Sequence, residues 1–370
     1  MRPYALDRSK SKEMIDIRPG TDADKPQVLA RIEEVFGAQP AQQAERLWDW
    51  QWNRDPRLTM PGYRGVVAEW RGQIIGNLST IPAGLHIGGE PFQAWWFVDV
   101  FVHWGLTRRA LRDYKRAKSP GATDLSRGLA AALFDHPAAG PIQLGKHIAD
   151  PMMAILERIR FEAQPDTGSL HRRVSVRSPL GRALGTGVGD LVGAVADLAL
   201  PRIPRPVLPV ETHAGPFDAR FDHLWESVKA SYPAICRRDA TVLDWRYRQH
   251  PDNDYSVLTL DSADGLRGYC VIKVFDRDRR RRGKIVDLLA APADTEALQA
   301  LLAGALGALR RQRVERAEIF ACGPGLGRIL ADLGFTPRLT KTQRPRPLMV
   351  RHLPESARGL YVTQGDGDGG

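Results

Sequence analysis

Two aspartates stand inside strongly apolar runs, Asp99 within Trp95-Trp96-Phe97-Val98-Asp99-Val100-Phe101-Val102 and Asp287 within Ile285-Val286-Asp287-Leu288-Leu289. A carboxyl stripped of water by such neighbours has a raised pKa and can accept a proton near neutral pH. A structural carboxylate that caps a neighbouring loop fits the same pattern, and its presence in both runs weakens the catalytic reading of either. His103, directly after the first run, titrates where a general acid or base must, although a strand-end surface histidine has the same setting. His136 and His147 lie in a Gly- and Pro-containing stretch, Phe134 to His147, that suits the border of an acceptor cleft. No cysteine or paired carboxylate stands near them at ligand spacing, and Cys236, Cys270 and Cys322 form no CxxC pair, so no metal site and no disulfide framework is expected.

Two other clusters have chemical potential and a plainer explanation. Trp48, Trp50 and Trp52, with Trp95 and Trp96, offer faces for stacking a sugar ring, yet aromatics at this density usually fill a core. Arg279-Arg280-Arg281-Arg282-Gly283-Lys284 reads as a basic hairpin turn that would grip phosphate, an acidic glycan or RNA, or simply be solvated. The formal charge of +10 favours anionic partners without choosing among nucleic acid, a phosphorylated cosubstrate and an acidic membrane face.

The elements that position these residues occur twice. Trp50-x-Trp52-x3-Pro56 is echoed by Trp245-x-Tyr247-x3-Pro251. Each copy is followed by two alternating runs that read as a hairpin, with Arg71-Gly72 and Asp264-Gly265 at the bends. The apolar run with its aspartate comes next, and each half closes with a helix, Met152 to Phe161 and Leu326 to Phe335. Four landmarks in one order indicate a duplication, as does a length of 370 residues, which exceeds one ordinary core. The expected division is an N-terminal domain over 1–166, a helical and proline-rich linker over 167–215, a C-terminal domain over 216–345 and a tail over 346–370, frayed from Gln364 onward. The segment Ser178 to Pro209 reads as an amphipathic helix and an extended proline stretch. Asp190, Asp197 and scarce lysines favour its packing between domains over lying on lipid.

The opening Ile15 to Asp24, with Thr21 as helix N-cap, leads into a helix whose Val28, Leu29, Ile32, Val35 and Phe36 share a face. Together with Val98-Asp99-Val100-Phe101-Val102-His103 and the late helix Ile155-Leu156-Glu157-Arg158-Ile159-Arg160-Phe161-Glu162, this resembles the GNAT superfamily, the GCN5-related N-acetyltransferases. Lys284 to Ala290, the helix Thr295 to Arg310, Ala317 to Phe320 and Leu333-Gly334-Phe335 resemble the same fold again. The resemblance implies an α+β protein of two tandem GNAT-like domains, each a mixed, mostly antiparallel sheet flanked by helices. It is similar to tandem members associated with bacterial polysaccharide biosynthesis.

The resemblance also implies acetyl-CoA or another acyl-CoA as cosubstrate, its pyrophosphate held by backbone N–H groups at the turn from the fourth strand into a helix. That place is His103-Trp104-Gly105-Leu106-Thr107-Arg108-Arg109 in the first half. Gly105, Leu106, Thr107, Arg108 and Arg109 are the expected cofactor contacts, with an oxyanion donor from the backbone near Phe101 or Val102 and Asp99 and His103 as acid–base candidates. Pro120 to Gly128 is a second loop of suitable type, and one of the two is an insertion. In the second half the turn is Ala291 to Glu296, with no glycine, a proline and two acids, which does not suit phosphate. Many family members protonate the leaving thiolate with a tyrosine on the last helix, where this chain has Leu156 and Leu330.

The expected activity is N-acyl transfer to an amine on a small molecule or amino sugar, the second half shaping the acceptor site. Two rivals remain: a FemABX-like transferase that uses aminoacyl-tRNA, and a non-catalytic binding protein. The polar start, Met1 to Lys12, resembles neither a signal peptide nor an anchor and no transmembrane segment is evident, so a cytoplasmic location is expected.

Overall fold

The computed structural model describes residues 15–116, 122–148, 150–164, 168–176, 184–278, 280–323, 325–338 and 347–367. The chain divides into two compact units: Met1–Pro82 with Gln93–Gly145 and Asp150–Phe161, and Ala83–Phe92 with Lys146–Ala149 and Glu162–Gly370.

In the first unit β1 (Asp16–Pro19), β2 (Gly65–Trp70), β3 (Gln73–Pro82) and β4 (Ala94–Val102) form an antiparallel run, and β5 (Ile142–Gly145) joins β4 in parallel. Arg71 and Gly72 close the β2–β3 hairpin with φ of 52° and 74°, the left-handed pair that a two-residue loop needs to follow the strand twist. Helices α1 (Lys25–Phe36) and α2 (Ala38–Trp52) come before β2. The start of α1 is fixed by Thr21 and Asp24, the Asp24 carboxylate accepting the Thr21 N–H at 2.8 Å and Arg18 at 2.7 Å. Val28 and Ile32 are buried, while Val35 and Phe36, at the end of the helix, are exposed. Trp48, Trp50, Trp52 and Trp96 are buried, which makes them core. α3 (Trp104–Arg116) and α4 (Ala122–Asp135) separate β4 from β5, and α5 (Asp150–Arg158) follows.

The second unit repeats this order. After β6 (Gly168–Arg173) and α6 (Thr186–Ala196), β7 (Glu211–His213) leads to α7 (Ala219–Val228) and α8 (Ala240–Tyr247). Then β8 (Ser256–Ser262), β9 (Gly265–Arg277) and β10 (Arg280–Ala290) pair antiparallel, α9 (Thr295–Arg311) intervenes, and β11 (Arg316–Cys322) joins β10 in parallel before α10 (Leu326–Asp332). β7 pairs with β8 as β1 does with β2. The sheet then extends from β11 to β6 and to β12 (Thr336–Pro337), and β13 (Val362–Thr363) pairs with β11. Ala234–Cys236, Leu85–Ile87 and Glu90–Phe92 form a small separate sheet. α4 packs on β2 and β3 as α9 packs on β8 and β9, so by packing α4 is the counterpart of α9.

Three expectations are corrected. The basic run falls at the β9–β10 hairpin, but its described part, Arg280 to Lys284, is strand rather than turn, paired with the end of β9 and with Arg282 3.0 Å from Glu318; Arg279 lies outside the described residues. The segment from Gln364 to Gly367 is buried, held by buried charges described below, and only 368–370 lie outside the described residues. The aliphatic residues of α6 are exposed rather than packed; residues 177–183 before it lie outside the described residues.

Candidate active site

The fourth strand of the first unit is broken at the aspartate that the sequence singles out. Ser79 pairs with Val98 and Asn77 with Phe101, so β4 carries one residue more than β3 between these pairs. The bulge places Asp99 at φ 47°, a conformation that aspartate and asparagine tolerate better than other side-chain-bearing residues. Asn77 pins it: Nδ2 donates to the Asp99 carbonyl at 2.9 Å and to Ser79 Oγ at 2.9 Å. Tyr63 completes a buried network, its hydroxyl donating to Asn77 Oδ1 at 2.6 Å and lying 2.9 Å from Ser79 Oγ. Burial, with the nearby charge of Asp99 adding to it, pushes the Tyr63 phenol well above its ordinary range. Asp99 itself is half-buried, more open than its apolar neighbours suggested.

Beyond the bulge the sheet parts. β4 and β5 are in register only from Ala94↔Ile142 to Trp96↔Leu144, so the stretch from Phe97 to Val102 leaves the parallel ladder. The base of the opening is aromatic. The rings of Phe97, Phe134 and Phe161 meet edge to face with centroids 5.1 to 5.5 Å apart. A Cβ on Gly145 would stand 1.9 Å from Phe97 Cζ, so only glycine admits that ring. Leu156, where the resemblance would put a tyrosine, is fully buried, as is Leu330 in the second unit.

His103 ends β4 and starts α3. Its Nδ1 accepts the Leu106 N–H at 3.1 Å, which in the neutral ring leaves the proton on Nε2, 2.9 Å from Glu34 Oε2. Its own N–H donates to Ile75 O, and its carbonyl accepts from Thr107 N–H. Phe101, Leu106 and Thr107 bury their side chains, the Thr107 hydroxyl without a hydrogen-bond partner, so any contact they make outward is through the backbone. Val102 is half-buried, and Gly105, Arg108 and Arg109 are exposed. Trp104, which sequence reasoning passed over, is also exposed, with the Arg108 guanidinium 5.8 Å from its ring. No acid lies in the first turn of α3. The second loop, Pro120 to Gly128, falls largely outside the described residues. His136 caps a short turn by accepting the Ala138 N–H.

The matching aspartate of the second unit has a different fate. β10 also carries one extra residue, at Val286, but Asp287 is buried and receives five hydrogen bonds: from Arg238 Nε, Thr363 Oγ1 and Leu288 N–H on one oxygen, and from the Tyr247 and Tyr269 hydroxyls on the other, all at 2.9 to 3.1 Å. β10 leaves β11 after Ile285↔Ile319. The space is occupied by the end of the chain, with Gly365 N–H on Val286 O at 2.7 Å and the Tyr361 hydroxyl on Leu288 O at 2.6 Å. Arg238 bridges Asp287 to Asp366 at 2.5 Å, and Arg246 and Lys146 bind the carbonyls of the same segment. His147 contacts Gln364 at 2.7 Å. The start of α9 is already capped by a carboxylate, Asp294 accepting Ala297 N–H and held by Arg267 at 2.6 Å.

A bulged fourth strand that parts from the fifth, in a mixed sheet built twice over, defines a protein of the N-acyltransferase fold class. Residues 16–114 match the model of the acetyltransferase (GNAT) domain, and the fold is that of two tandem GNAT-like domains. A GCN5-related N-acetyltransferase from Anabaena variabilis is similar at 12% identity and a TM-score of 0.56, over 91% of this chain and 72% of that one. The Saccharomyces cerevisiae N-myristoyltransferase with bound myristoyl-CoA and inhibitors is similar at 12% identity and a TM-score of 0.55, over 95% of this chain and 82% of that one. A GCN5-related N-acetyltransferase from Kribbella flavida follows at 15% identity and a TM-score of 0.50, over 91% and 71%. No curated protein matches the sequence. At these identities the structures establish the fold; with the domain match they point to acyl transfer as the class of reaction.

Proposed function

We propose that the first unit is an acyl-CoA-dependent N-acyltransferase acting on a primary amine of a small molecule or amino sugar, with the thioester laid along the parted edge of β4. The observation that carries this reading is the bulge at Asp99, fixed by Asn77 at the point where β4 leaves its ladder with β5. A strand edge outside its ladder suits the amides of a pantetheine arm, which can pair with it as an added strand would. A backbone N–H near Phe101 or Val102 stabilises the tetrahedral oxyanion.

In this reading the amine attacks the thioester carbon, its proton passes to Asp99, and CoA leaves as the thiolate. The half-open setting of Asp99 supports it as the acceptor of that proton. Both ring nitrogens of His103 already have partners, which supports a positioning role, the imidazole holding the first turn of α3; a proton-transfer role requires its contact with Leu106 or Glu34 to open. The pyrophosphate is assigned to Gly105, Arg108 and Arg109, with Trp104 as a flat surface for the adenine. Acetyl-CoA and longer acyl-CoA esters are both candidates; the bound myristoyl-CoA of the yeast neighbour supports including the latter. A second loop competes: α4 takes the packing place of α9, and the sequence at its opening, Pro120 to Gly128, contains Gly121 and Arg127.

Thermal shift and calorimetry with CoA, acetyl-CoA and a long-chain acyl-CoA test the reading. Ligand at about 100 times its dissociation constant should add about 2.7 kcal/mol of apparent stability. Loss of that gain in Arg108→Ala/Arg109→Ala supports the first loop, and loss only in Arg127→Ala transfers the site to the second. Asp99→Asn, which suits the positive φ, should lower kcat by about 100-fold or more with CoA binding retained. If no CoA ester stabilises the wild type, the reading fails.

A further inference from the structure

Helix α6 is built inside out. Its buried line is Gly189, Gly193 and then Asp197, each four residues from the next. The opposite line, Val188, Leu191, Val195 and, just past the helix, Leu198, at spacings of three and four, is 62 to 79% exposed, with Val192 beside it. In an ordinary surface helix the large aliphatic residues face the core; here glycines do, and a ridge of leucine and valine faces outward. A contiguous aliphatic surface of this kind marks a contact site.

The charges around the ridge suggest what it meets. Asp197, the acid that in sequence argued against lipid, is buried, its carboxylate accepting Ser175 Oγ at 3.0 Å and Val176 N–H at 2.8 Å. Arg202 and Arg205 follow Leu198 directly and are exposed; four residues of chain keep Arg202 within about 14 Å of Leu198. The chain as a whole carries a formal charge of +10. The ridge itself has no polar or aromatic side chain, hence none of the directional anchors on which protein interfaces depend. Among the described residues no helix is long and apolar enough to cross a bilayer, so a lipid contact here lies along the surface.

We propose that α6 seats the protein on an anionic bilayer, its Leu/Val ridge sunk to the acyl boundary and Arg202 and Arg205 among the acidic headgroups. This rests on neither the cofactor site nor the reaction proposed above. The full chain is tested by co-sedimentation with phosphatidylcholine vesicles containing about a third phosphatidylglycerol, against phosphatidylcholine alone. The wild type should sediment with the acidic vesicles and be released by high salt. Leu191→Asp/Val195→Asp, at exposed positions where the fold tolerates change, should lower the partition coefficient by about tenfold or more. Arg202→Gln/Arg205→Gln, which removes two positive charges, should lower it by about 30-fold. Unchanged melting temperatures show that both variants remain folded. The proposal is overturned if the wild type stays in the supernatant, if neutral vesicles bind it equally, or if the Asp variant sediments as the wild type does. It is also overturned if the wild type is a dimer in analytical ultracentrifugation that the Asp variant dissociates, for then the ridge belongs to a second copy.

Discussion

The two units place an aspartate at the same point of the same topology and treat it in opposite ways. In the first, Asp99 sits on a bulge whose carbonyl is held by Asn77, half-buried where the sheet parts. In the second, Asp287 has five donors, and the end of the chain occupies the gap beside it. A carboxylate whose lone pairs are all engaged, as those of Asp287 are, has no capacity to take an amine proton. The starts of the following helices differ in the same sense. Asp294 sets a negative charge at α9, while His103 caps α3 with a ring nitrogen and leaves Arg108 and Arg109 outside. The two units thus share a scaffold, and the second commits its polar groups to holding the chain end.

If that contrast is right, the largest cost of mutation lies in the second unit. Arg238→Met removes the cation shared by Asp287 and Asp366 and leaves two buried carboxylates short of a partner, for an expected loss of about 3–5 kcal/mol. Urea unfolding measures it; a loss below about 1 kcal/mol would mean that the network is not the lock described here. Asn77→Ala comes next. It strips the Asp99 carbonyl and the Tyr63 hydroxyl of a partner each, an expected loss of about 2 kcal/mol. Because the bulge loosens, acyl transfer should fall as well, which separates this residue from a purely structural one.

The comparison also has a pH signature. Burial, and then the charge of Lys273, lowers the His250 imidazole from 6.5 to about 4. With the folded-state value below the unfolded one, the unfolded chain takes up the proton first as pH falls, so this contribution is complete above 6.5 and lost on the way down to about 4. About 1–2 kcal/mol is expected after discounting for the part of the ring in water. Unfolding at pH values above and below this window measures it, and His250→Gln should flatten the slope. Asp366 acts further down. Burial alone would raise its pKa, but Arg238 and Arg246 outweigh burial and hold it below the ordinary range, so its contribution disappears only under stronger acid.

The strand order was legible because period-two runs and Arg71-Gly72 or Asp264-Gly265 bends are local signals, and so was the placement of both aspartates on fourth strands. The networks around them were not. Tyr63 and Asn77 are 14 residues apart and meet only through strand pairing; a polar Asn77 within Ile74-Ile75-Gly76-Asn77-Leu78 was the one available hint. Arg238 and Asp366 are 128 residues apart, and a Gly/Asp-rich tail looks frayed because the ion pairs that order it are supplied by distant segments. Helix α6 shows the limit most clearly. Its spacing announces two faces, yet the buried one carries Gly189 and Gly193 while the aliphatic one is exposed, a choice periodicity does not encode. Nor could spacing decide between the two loops before β5, since the packing of α4 on β2 and β3 is a tertiary fact.

The smallest expected effect is the sharpest test of the division of labour. Arg108 and Arg109 are exposed on α3, and neither contributes to a buried network. Arg108→Ala/Arg109→Ala should therefore change the stability of the unliganded protein by no more than about 0.5 kcal/mol. Removing Arg238, a single guanidinium, should cost several times more than removing both, because its charge is enclosed and theirs are in water. If the double variant instead unfolds the protein, the cations hold the first unit together as Arg238 holds the second. The contrast between a site left open for a ligand and one closed by its own chain would then fail where it is most exposed.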